Sequence, residues 1–262
     1  MVTKAHLSFV RKIGRNSSFR HEKGLFLAEG FKVIQAAIRA NALKELFYLP
    51  TDSAARSFIK KYGSFNGDVF EINSTQLAYI SNAKNPQPVL GLCLIKKYLE
   101  DEMLNSELIW VLDDVADPAN AGTIIRSISL FSPETPVIVF YKGVDPFNPK
   151  VVRSSAGAIF ESKIVISKLE KLESFLKAKG FDIVLTAPVG GKDPCELQLL
   201  KKSAIVLGNE SKGACHFLKA ANHIVTIPMK ASSVDSLNVS MVATIIAYII
   251  YKKSFSETKY DI

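Results

Sequence analysis

Short, wholly apolar runs recur through the second part of the chain and alternate with segments of helical spacing. A run that is apolar on both faces is typical of a strand in the middle of a parallel sheet, which is covered on both sides. The alternation therefore predicts an α/β domain with helices on both faces of a parallel sheet. The predicted strands are LIWVLD (108–113), PVIVF (136–140), SKIVI (162–166), FDIVLT (181–186), SAIVLG (203–208) and HIVTIP (223–228).

Helix-end signals lie between several of these runs. Asn148 and Pro149 form an N-cap followed by a first-turn proline, which predicts a helix from residue 149. Ser167 is a predicted cap for KLEKLESFLKAK, and Gly180 is its predicted end. The most apolar stretch, 239–250, is roughly half as long as a bilayer-spanning helix, so we expect a buried helix and no membrane span.

The first third of the chain alternates in the same way on a smaller scale. Its predicted elements are a loop and strand over 19–29, helices over 30–40 and 53–63, and strands over 44–50, 68–72 and 89–96. The acidic, polar stretch YLEDEMLNSE (98–107) separates these elements from the later apolar runs. We therefore predict a small α/β domain over 1–98 and a larger α/β domain over 106–262.

Charge divides the chain at the same place. Residues 1–98 contain 15 Lys and Arg against 6 Asp and Glu, whereas residues 99–262 contain 18 against 19. The whole excess of positive charge therefore lies in the first third, and a polyanion such as nucleic acid is its expected partner. A merely solvated basic surface is the alternative that charge alone leaves open.

Cysteine and histidine usage indicates a reduced, intracellular protein. The three cysteines are far apart and form no CxxC pair, which argues against a disulfide framework and a zinc site. The four histidines do not stand near carboxylates at ligand spacing along the chain. We expect a cytoplasmic protein without a metal ion.

Three segments that follow predicted strands contain unusual polar residues. The first is LDDVADPANAGTIIRSISLF (112–131), where a helix is expected to begin near Asn120 and Arg126 lies within two turns. An arginine early in such a helix suggests a phosphate or ribose contact. An asparagine cap followed by a surface arginine would explain the same residues.

The second segment is IVLGNESKGA (205–214). Gly208 and Gly213 have the spacing of a P-loop, but Ala214 and Cys215 stand where that motif requires Lys and Ser or Thr. The glycines still predict a tight turn with exposed backbone groups. Glu210 in this turn would repel a phosphate, and it suits a ribose hydroxyl, an amine or a sulfonium ligand. No GxGxxG occurs in the chain, so a dinucleotide site is unsupported.

The third segment is IPMKASSVDSLNVSMVATIIAYII (227–250). Ser236 and Asn238 precede the most apolar helix of the chain, and either could simply cap it. Because that helix must be largely buried, the polar loop before it is expected to lie against other elements.

Taken together, the three segments resemble the three motifs of the SpoU (TrmH-type) family of RNA ribose 2′-O-methyltransferases in the SPOUT superfamily. The matching pieces are DPANAGTIIR (117–126), LGNESKG (207–213) and IPMKASSVDSLNVS (227–240), with NPKVVRSSAGAIF (148–160) similar to the segment between the first two motifs. Residues 20–95 also resemble the small RNA-binding domain, related to ribosomal proteins, that precedes many members.

The resemblance implies a SPOUT domain with a trefoil knot, a homodimer that completes each active site, and S-adenosylmethionine as cofactor. The substrate it implies is structured RNA, rRNA rather than tRNA. Expected cofactor contacts are Gly208, Ile227, Leu237, Thr186 and Ala187. Expected catalytic residues are Arg126, Asn120, Glu210, Ser236 and Asn238. Expected RNA contacts are Arg15, Arg20, Lys23 and Arg153.

Arg126 is the expected centre of catalysis. The guanidinium pKa is about 12.5 or higher, so arginine is a poor base at neutral pH. We therefore expect Arg126 to stabilise the developing alkoxide as a cation, with Glu210 orienting either Arg126 or Asn120. A non-catalytic RNA-binding protein with the same fold is the main alternative, and a different α/β enzyme is the second.

Overall fold

A computed structural model describes residues 2–197, 202–230 and 236–257, with the side chains of the last segment described to residue 254. The chain divides into two compact units. Unit 1 contains Met1–Lys96 and Asp145–Glu161, and unit 2 contains Lys97–Val144 and Ser162–Ile262. The segment 145–161 thus groups with unit 1, so the compact units differ from the continuous ranges 1–98 and 106–262.

Helices and strands alternate along most of the chain. In order, the first elements are α1 (Lys4–Arg15), α2 (Ser17–Lys23), β1 (Leu25–Glu29), α3 (Phe31–Arg39), β2 (Leu43–Tyr48), α4 (Ser53–Tyr62), β3 (Asp68–Glu71), α5 (Ser74–Ile80) and β4 (Val89–Leu94). The later elements are α6 (Asp101–Leu104), β5 (Leu108–Asp113), α7 (Pro118–Phe131), β6 (Val137–Tyr141), α8 (Pro149–Ser154), β7 (Lys163–Ser167), α9 (Leu172–Ala178), β8 (Asp182–Thr186), β9 (Ser203–Gly208), β10 (His223–Val225) and α10 (Val239–Glu257).

Unit 1 is built on a sheet with the strand order β1-β4-β2-β3. The β4 strand pairs antiparallel with both β1 and β2, and β2 pairs parallel with β3. On α1, Leu7, Val10 and Ile13 recur at three-residue steps and are buried, so this helix packs one apolar face inward. The prediction of a small α/β domain is confirmed.

The start of unit 1 differs from the sequence prediction. The segment that begins at Phe19 was predicted to start as a loop, but Ser17–Lys23 forms α2. The Asn16 side chain caps this helix by accepting a hydrogen bond from the Phe19 backbone N–H. Gly24, with φ at +63°, ends the helix in the left-handed conformation that glycine adopts easily. Helix α1 was not predicted, since its mean hydropathy is low and its polar face is broad.

Unit 2 contains a six-stranded sheet in the order β10-β8-β9-β5-β6-β7. Every neighbouring pair in it is parallel. All six residues of β9 and all five of β6 are buried, which is why these strands read as continuous apolar runs. The prediction of a parallel-sheet α/β domain is confirmed.

Three element boundaries in unit 2 differ from the prediction by two residues or more. Strand β10 ends at Val225 rather than at residue 228. Ser167 is the last residue of β7 and not a helix cap, because α9 begins only at Leu172. Helix α7 begins at Pro118, capped by Asp117, and not near Asn120.

Helix α10 contains the apolar stretch that was predicted to form a buried helix, and Ala243 and Ile246 are buried in it. Among the residues that the structure describes, no helix has both the length and the apolar character needed to cross a bilayer. The trefoil knot stays a prediction, because residues 231–235, which join β10 to α10, lie outside the described residues.

Candidate active site

The candidate site lies where three neighbouring parallel strands of unit 2 end. Strands β8, β9 and β5 are adjacent in the sheet and finish at Thr186, Gly208 and Asp113. Parallel strands present their carboxyl ends at one edge of the sheet, and ligands of open α/β folds bind beyond that edge. Strands β8 and β9 are consecutive in the chain, but the chain order does not suggest that β5 is the other neighbour of β9.

A cavity of about 340 Å³ opens at this edge, a size within the usual range for small-molecule sites. Its lining comes from the ends of β8 and β9, from the chain after β10, and from the start of α10. It includes all five expected cofactor residues, namely Gly208, Ile227, Leu237, Thr186 and Ala187. Of the expected catalytic residues, Glu210 and Ser236 also line it.

The turn after β9 is tight enough to require glycine. A Cβ atom added to Gly208 would lie 2.2 Å from the backbone nitrogen of Ala214, far inside any van der Waals contact. Gly213 has a φ of +67°, which favours glycine. The backbone N–H of Asn209 donates to the Gly213 carbonyl at 3.2 Å, and the Gly213 N–H donates back at 2.9 Å.

Three of the expected catalytic side chains form one hydrogen-bonded chain. The Asn120 Nδ2 group donates to Glu210 Oε1 at 2.7 Å. Asn238 Nδ2 donates to Asn120 Oδ1 at 3.0 Å. The three residues come from separate motifs, 90 and 118 residues apart in sequence. The tertiary structure therefore brings all three motifs together. Glu210 belongs both to this series of hydrogen bonds and to the wall of the cavity.

Local capping explains why these amides point at one another. Asp117 accepts hydrogen bonds from the backbone N–H groups of Ala119 and Asn120 at 2.7 and 2.9 Å. Because Asp117 caps α7, the Asn120 side chain is not needed as a cap. Asn238 does cap its helix, since its Oδ1 accepts from the Ser240 backbone N–H at 2.8 Å, and its Nδ2 still reaches Asn120.

Arg126 is the one expected catalytic residue that neither joins these hydrogen bonds nor lines the cavity. Its side chain is exposed on α7 and is not among the cavity-lining residues. Six residues after Asn120, it lies about 240° around the helix axis at 3.6 residues per turn, on a different face. Of the two partners considered for Glu210, the structure gives a hydrogen bond to Asn120.

Sequence reasoning missed Asn209, which fixes the turn that carries Glu210. Its Oδ1 accepts from the backbone N–H groups of Ser211 and Lys212 at 2.9 and 3.1 Å. Its Nδ2 donates to the Asp114 carbonyl at 2.9 Å and so ties the turn to the end of β5. An asparagine that directly follows a strand and precedes a turn is a recognisable Asx-turn signal.

A second interaction that sequence reasoning missed is the hydrogen bond between Asp113 and His216. The Asp113 side chain is fully buried, and His216 Nδ1 lies 2.6 Å from its Oδ1. Burial raises the pKa of Asp113 above its usual value, while the His216 hydrogen bonds act in the opposite direction. Asp113, Cys215 and His216 place one possible metal-ligand atom each within 4.8 Å of one another.

Folding brings every histidine beside a carboxylate, although the sequence shows no such pairs at ligand spacing. Each of the four is within 3.1 Å of a carboxylate oxygen, in the pairs His6–Glu45, His21–Asp145, His216–Asp113 and His223–Asp182. The partners are distant in sequence, so no spacing pattern along the chain could show them.

The structure contradicts one of the expected RNA contacts, Arg20. Only 3% of the Arg20 side chain is exposed, because its guanidinium binds Asp145 Oδ2 at 2.9 Å and the Ile13 carbonyl at 2.6 Å. A buried, fully engaged arginine is not available to a phosphate. Arg15 and Lys23 are exposed, and Arg153 is 39% exposed with its Nη1 3.9 Å from Glu29 Oε2.

Comparison with known proteins agrees with this organisation. The family model described as "SpoU rRNA Methylase family" matches residues 107–248, and the model described as "MRM3-like substrate binding domain" matches residues 10–91. The 23S rRNA (guanosine(2553)-2'-O)-methyltransferase RlmP of Bacillus subtilis is 23% identical over 230 residues, which cover 87% of this chain and 89% of that protein.

Two further proteins are similar over most of the chain. The 23S rRNA (guanosine-2'-O-)-methyltransferase RlmB of Coxiella burnetii is 28% identical over 75% of this chain and 82% of its own length. The crystal structure of the SpoU methyltransferase AviRb from Streptomyces viridochromogenes, in complex with AdoMet, superimposes with a TM-score of 0.84 over 97% of this chain and 99% of that one, at 22% identity. With its family match spanning more than half of its length, the chain belongs to the SpoU rRNA methylase family.

Proposed function

We propose that this protein transfers a methyl group from S-adenosylmethionine to a ribose 2′-hydroxyl of structured RNA. The observation that carries the proposal is the hydrogen-bonded chain of Asn120, Glu210 and Asn238 beside the cavity at the strand ends. These side chains offer amide and carboxylate groups next to a small-molecule site, and they come from the three family motifs.

The cavity suits the proposed cofactor in shape and chemistry. Ile227, Val242 and Ile246 provide apolar surface for a purine ring, and Gly208 lets the backbone of Gly213 and Ala214 pack closely against the end of β9 at the cavity wall. The Thr186 hydroxyl donates to the Val206 carbonyl at 3.0 Å, so Thr186 would hold a ligand through its backbone. When bound, S-adenosylmethionine would supply an electrophilic methyl group on a positively charged sulfonium, which the Glu210 carboxylate in the cavity wall would favour.

The protein's own groups would orient the attacking hydroxyl. Glu210 fixes the rotation of the Asn120 amide, so that the Asn120 oxygen faces Asn238. A ribose bound beside these three side chains would meet hydrogen-bond donors and acceptors whose directions are already fixed. This lowers the entropy cost of reaching the reactive geometry. Arg126 would stabilise the negative charge that develops on the 2′-oxygen.

A homodimer would explain why Arg126 lies away from the cluster within one chain. Leu130, one turn after Arg126 on α7, is 66% exposed. On α10, Met241 and Tyr248 are 55% and 48% exposed, and their seven-residue spacing puts them on one face. We propose that a second copy covers these apolar side chains and that the partner subunit's Arg126 completes each site.

We favour rRNA over tRNA as the substrate, and the cytoplasm as the location. RlmP and RlmB are 23S rRNA methyltransferases, and their similarity extends over most of this chain. The "substrate binding domain" match falls on the basic first third. The exposed thiols of Cys195 and Cys215 are free, which suits a reducing compartment.

Isothermal titration calorimetry with S-adenosylmethionine is the first test, followed by transfer of labelled methyl to total RNA from cells that lack the protein. We expect saturable cofactor binding, and label in an alkali-resistant dinucleotide of rRNA, because 2′-O-methylation blocks hydrolysis there. RNA binding without cofactor binding would contradict the enzyme and identify a non-catalytic RNA-binding protein. Label confined to tRNA would contradict the choice of rRNA.

A further inference from the structure

Two segments of unit 1 contain no acidic residue. Glu22 is the first carboxylate of the chain, and residues 72–96 contain none. The first segment includes α1 and the second includes α5, and these two helices pack against each other. Neither helix therefore carries an acidic side chain, although the two segments are remote in sequence. One carboxylate from outside them, Glu45 Oε2 of β2, lies 2.8 Å from His6 Nε2 of α1.

The exposed face of α1 is basic along its length. Opposite its buried apolar face, the helix presents a row at steps of three and four residues, which consists of Lys4, Ser8, Arg11, Lys12 and Arg15. Within the described residues, none of the four basic side chains forms an ion pair with a carboxylate. Lys23 on α2 differs, since its Nζ lies 2.8 Å from Glu22 Oε1.

An aromatic side chain lies in the middle of this row. The Arg11 guanidinium carbon is 4.3 Å from the centre of the Tyr79 ring, and Tyr79, on α5, is 38% exposed. Hydrogen bonds from Arg11 and then Ser8 to the phenol oxygen lower the pKa of Tyr79. These contacts hold the ring and the guanidinium as one partly exposed, cationic stacking surface.

A cation–π pair of this kind often only stabilises a protein surface. Here it stands in a row of cations that have no carboxylate ion-pair partner within the described residues, although Lys12 Nζ also lies 4.1 Å from the centre of the Phe19 ring. Self-repulsion in such a row favours an anionic ligand. Stacking on aromatic rings and arginine planes is how proteins hold unpaired bases, and lysines and arginines beside the ring hold the phosphates. A duplex would keep its bases stacked and would use only the cations.

We infer that the α1–α5 face binds a single-stranded segment of the RNA substrate, with an unpaired base on the Tyr79–Arg11 pair and the backbone along Lys12 and Arg15. The inference rests on the proposed function for the identity of the ligand as substrate RNA. The general expectation is that the first third of the chain binds RNA; the inference specifies the binding face and that the bound RNA is single-stranded.

Fluorescence anisotropy with the full-length protein tests the inference. The probes are an unstructured RNA of about 12 nucleotides and an RNA duplex of the same length. We expect Tyr79→Leu to weaken single-strand binding roughly tenfold and to leave duplex binding within about twofold. Arg11→Gln should weaken the binding of both probes. For the single strand, it should also reduce the magnitude of the slope of log binding constant against log salt concentration by about 0.7.

Matched variants separate a specific face from general charge. Lys60→Gln removes an exposed cation from α4 in the same unit and should change single-strand affinity by less than about twofold, since one distant charge is largely screened. Tyr79→Phe keeps the ring and should retain most of the affinity. Equal losses for Lys60→Gln and Arg11→Gln, or unchanged binding by a folded Tyr79→Leu protein, would overturn the inference.

The same samples distinguish this inference from the proposed function. S-adenosylmethionine affinity of Tyr79→Leu should equal that of the wild type, because Tyr79 is in unit 1 and the cavity is in unit 2. The wild-type protein could bind the single strand in a Tyr79-dependent way and fail to bind S-adenosylmethionine. That result would contradict the proposed methyltransferase function and still support the α1–α5 face as an RNA-binding site. Tyr79-dependent binding of an acidic protein in place of RNA would overturn the face as an RNA site.

Discussion

The two units arrange their functional residues in opposite ways. In unit 2, Asn120, Glu210 and Asn238 come from three distant segments and hold one another by hydrogen bonds. In unit 1, the basic row follows one helix, and its side chains point outward without acidic partners. Catalysis needs atoms fixed to fractions of an ångström, whereas attraction of a polyanion needs only charge of one sign on one face.

The difference implies that substitutions in the two units should affect different quantities. A change in the unit 2 cluster should lower the rate of the chemical step, while a change on the α1 face should weaken RNA binding and alter its salt dependence.

The largest effect is expected at Arg126. Arg126→Ala should lower kcat about 1000-fold, because it removes the charge proposed to stabilise the developing oxyanion, and RNA affinity should change little. Single-turnover methylation with saturating RNA measures the step. Arg126→Lys should remain strongly impaired, and a near-full rate with unchanged RNA affinity would show that the proposed role is wrong.

Mixing subunits tests whether Arg126 acts across a dimer. Equal amounts of Arg126→Ala and Glu210→Gln subunits, unfolded and refolded together, should regain roughly a quarter of wild-type activity, because half of the dimers would contain one intact site. Each variant refolded alone provides the baseline. No recovery, in samples that light scattering shows to be dimeric, would place both residues in the same subunit's site.

Asp145→Asn should destabilise unit 1 by about 3 kcal/mol at neutral pH. Burial favours the neutral form of Asp145, but hydrogen bonds from His21 and Ser17 and the charge of Arg20 outweigh it and hold the pKa of Asp145 below its usual value. The ionised carboxylate therefore stabilises the fold above about pH 4, and this contribution is lost as the pH falls further. Urea unfolding at pH 7 and pH 3 measures both effects.

A matched control for Asp145 is Asp68→Asn, since Asp68 is an exposed carboxylate on β3 of the same unit. We expect that variant to change the free energy of unfolding by less than about 0.5 kcal/mol. Equal stability of the Asp145→Asn protein and the wild type at pH 7 would mean that Arg20 finds another partner.

The smallest effect is expected at Asn209. Asn209→Ala removes the hydrogen bonds to Ser211, Lys212 and the Asp114 carbonyl, so the turn should hold Glu210 less firmly. We expect kcat to fall about tenfold, with Asn209→Asp recovering part of the rate because its oxygen still accepts from the turn. An unchanged kcat for the alanine variant would remove Asn209 from the positioning residues.

Chain-local signals predicted much of the architecture. Continuous apolar runs identified the strands of a parallel sheet, and the Asn148–Pro149 signal located the start of α8. Helix α1 was missed because burial of only Leu7, Val10 and Ile13 leaves it mostly polar. Strand order could not be read either, since β9 lies between β8 and β5 only after the chain has folded back.

The fold class, the family, the division of charge and the segments that carry the chemistry can all be read from the amino-acid sequence. Those properties depend on which residues occur and at what local spacing. Which residues come into contact depends on the tertiary structure. Folding brings Asn120 to Glu210 across 90 residues of sequence, and it buries Arg20 against Asp145. A hydrogen bond or an ion pair depends on distance in space, and folding sets that distance between residues that the sequence keeps far apart.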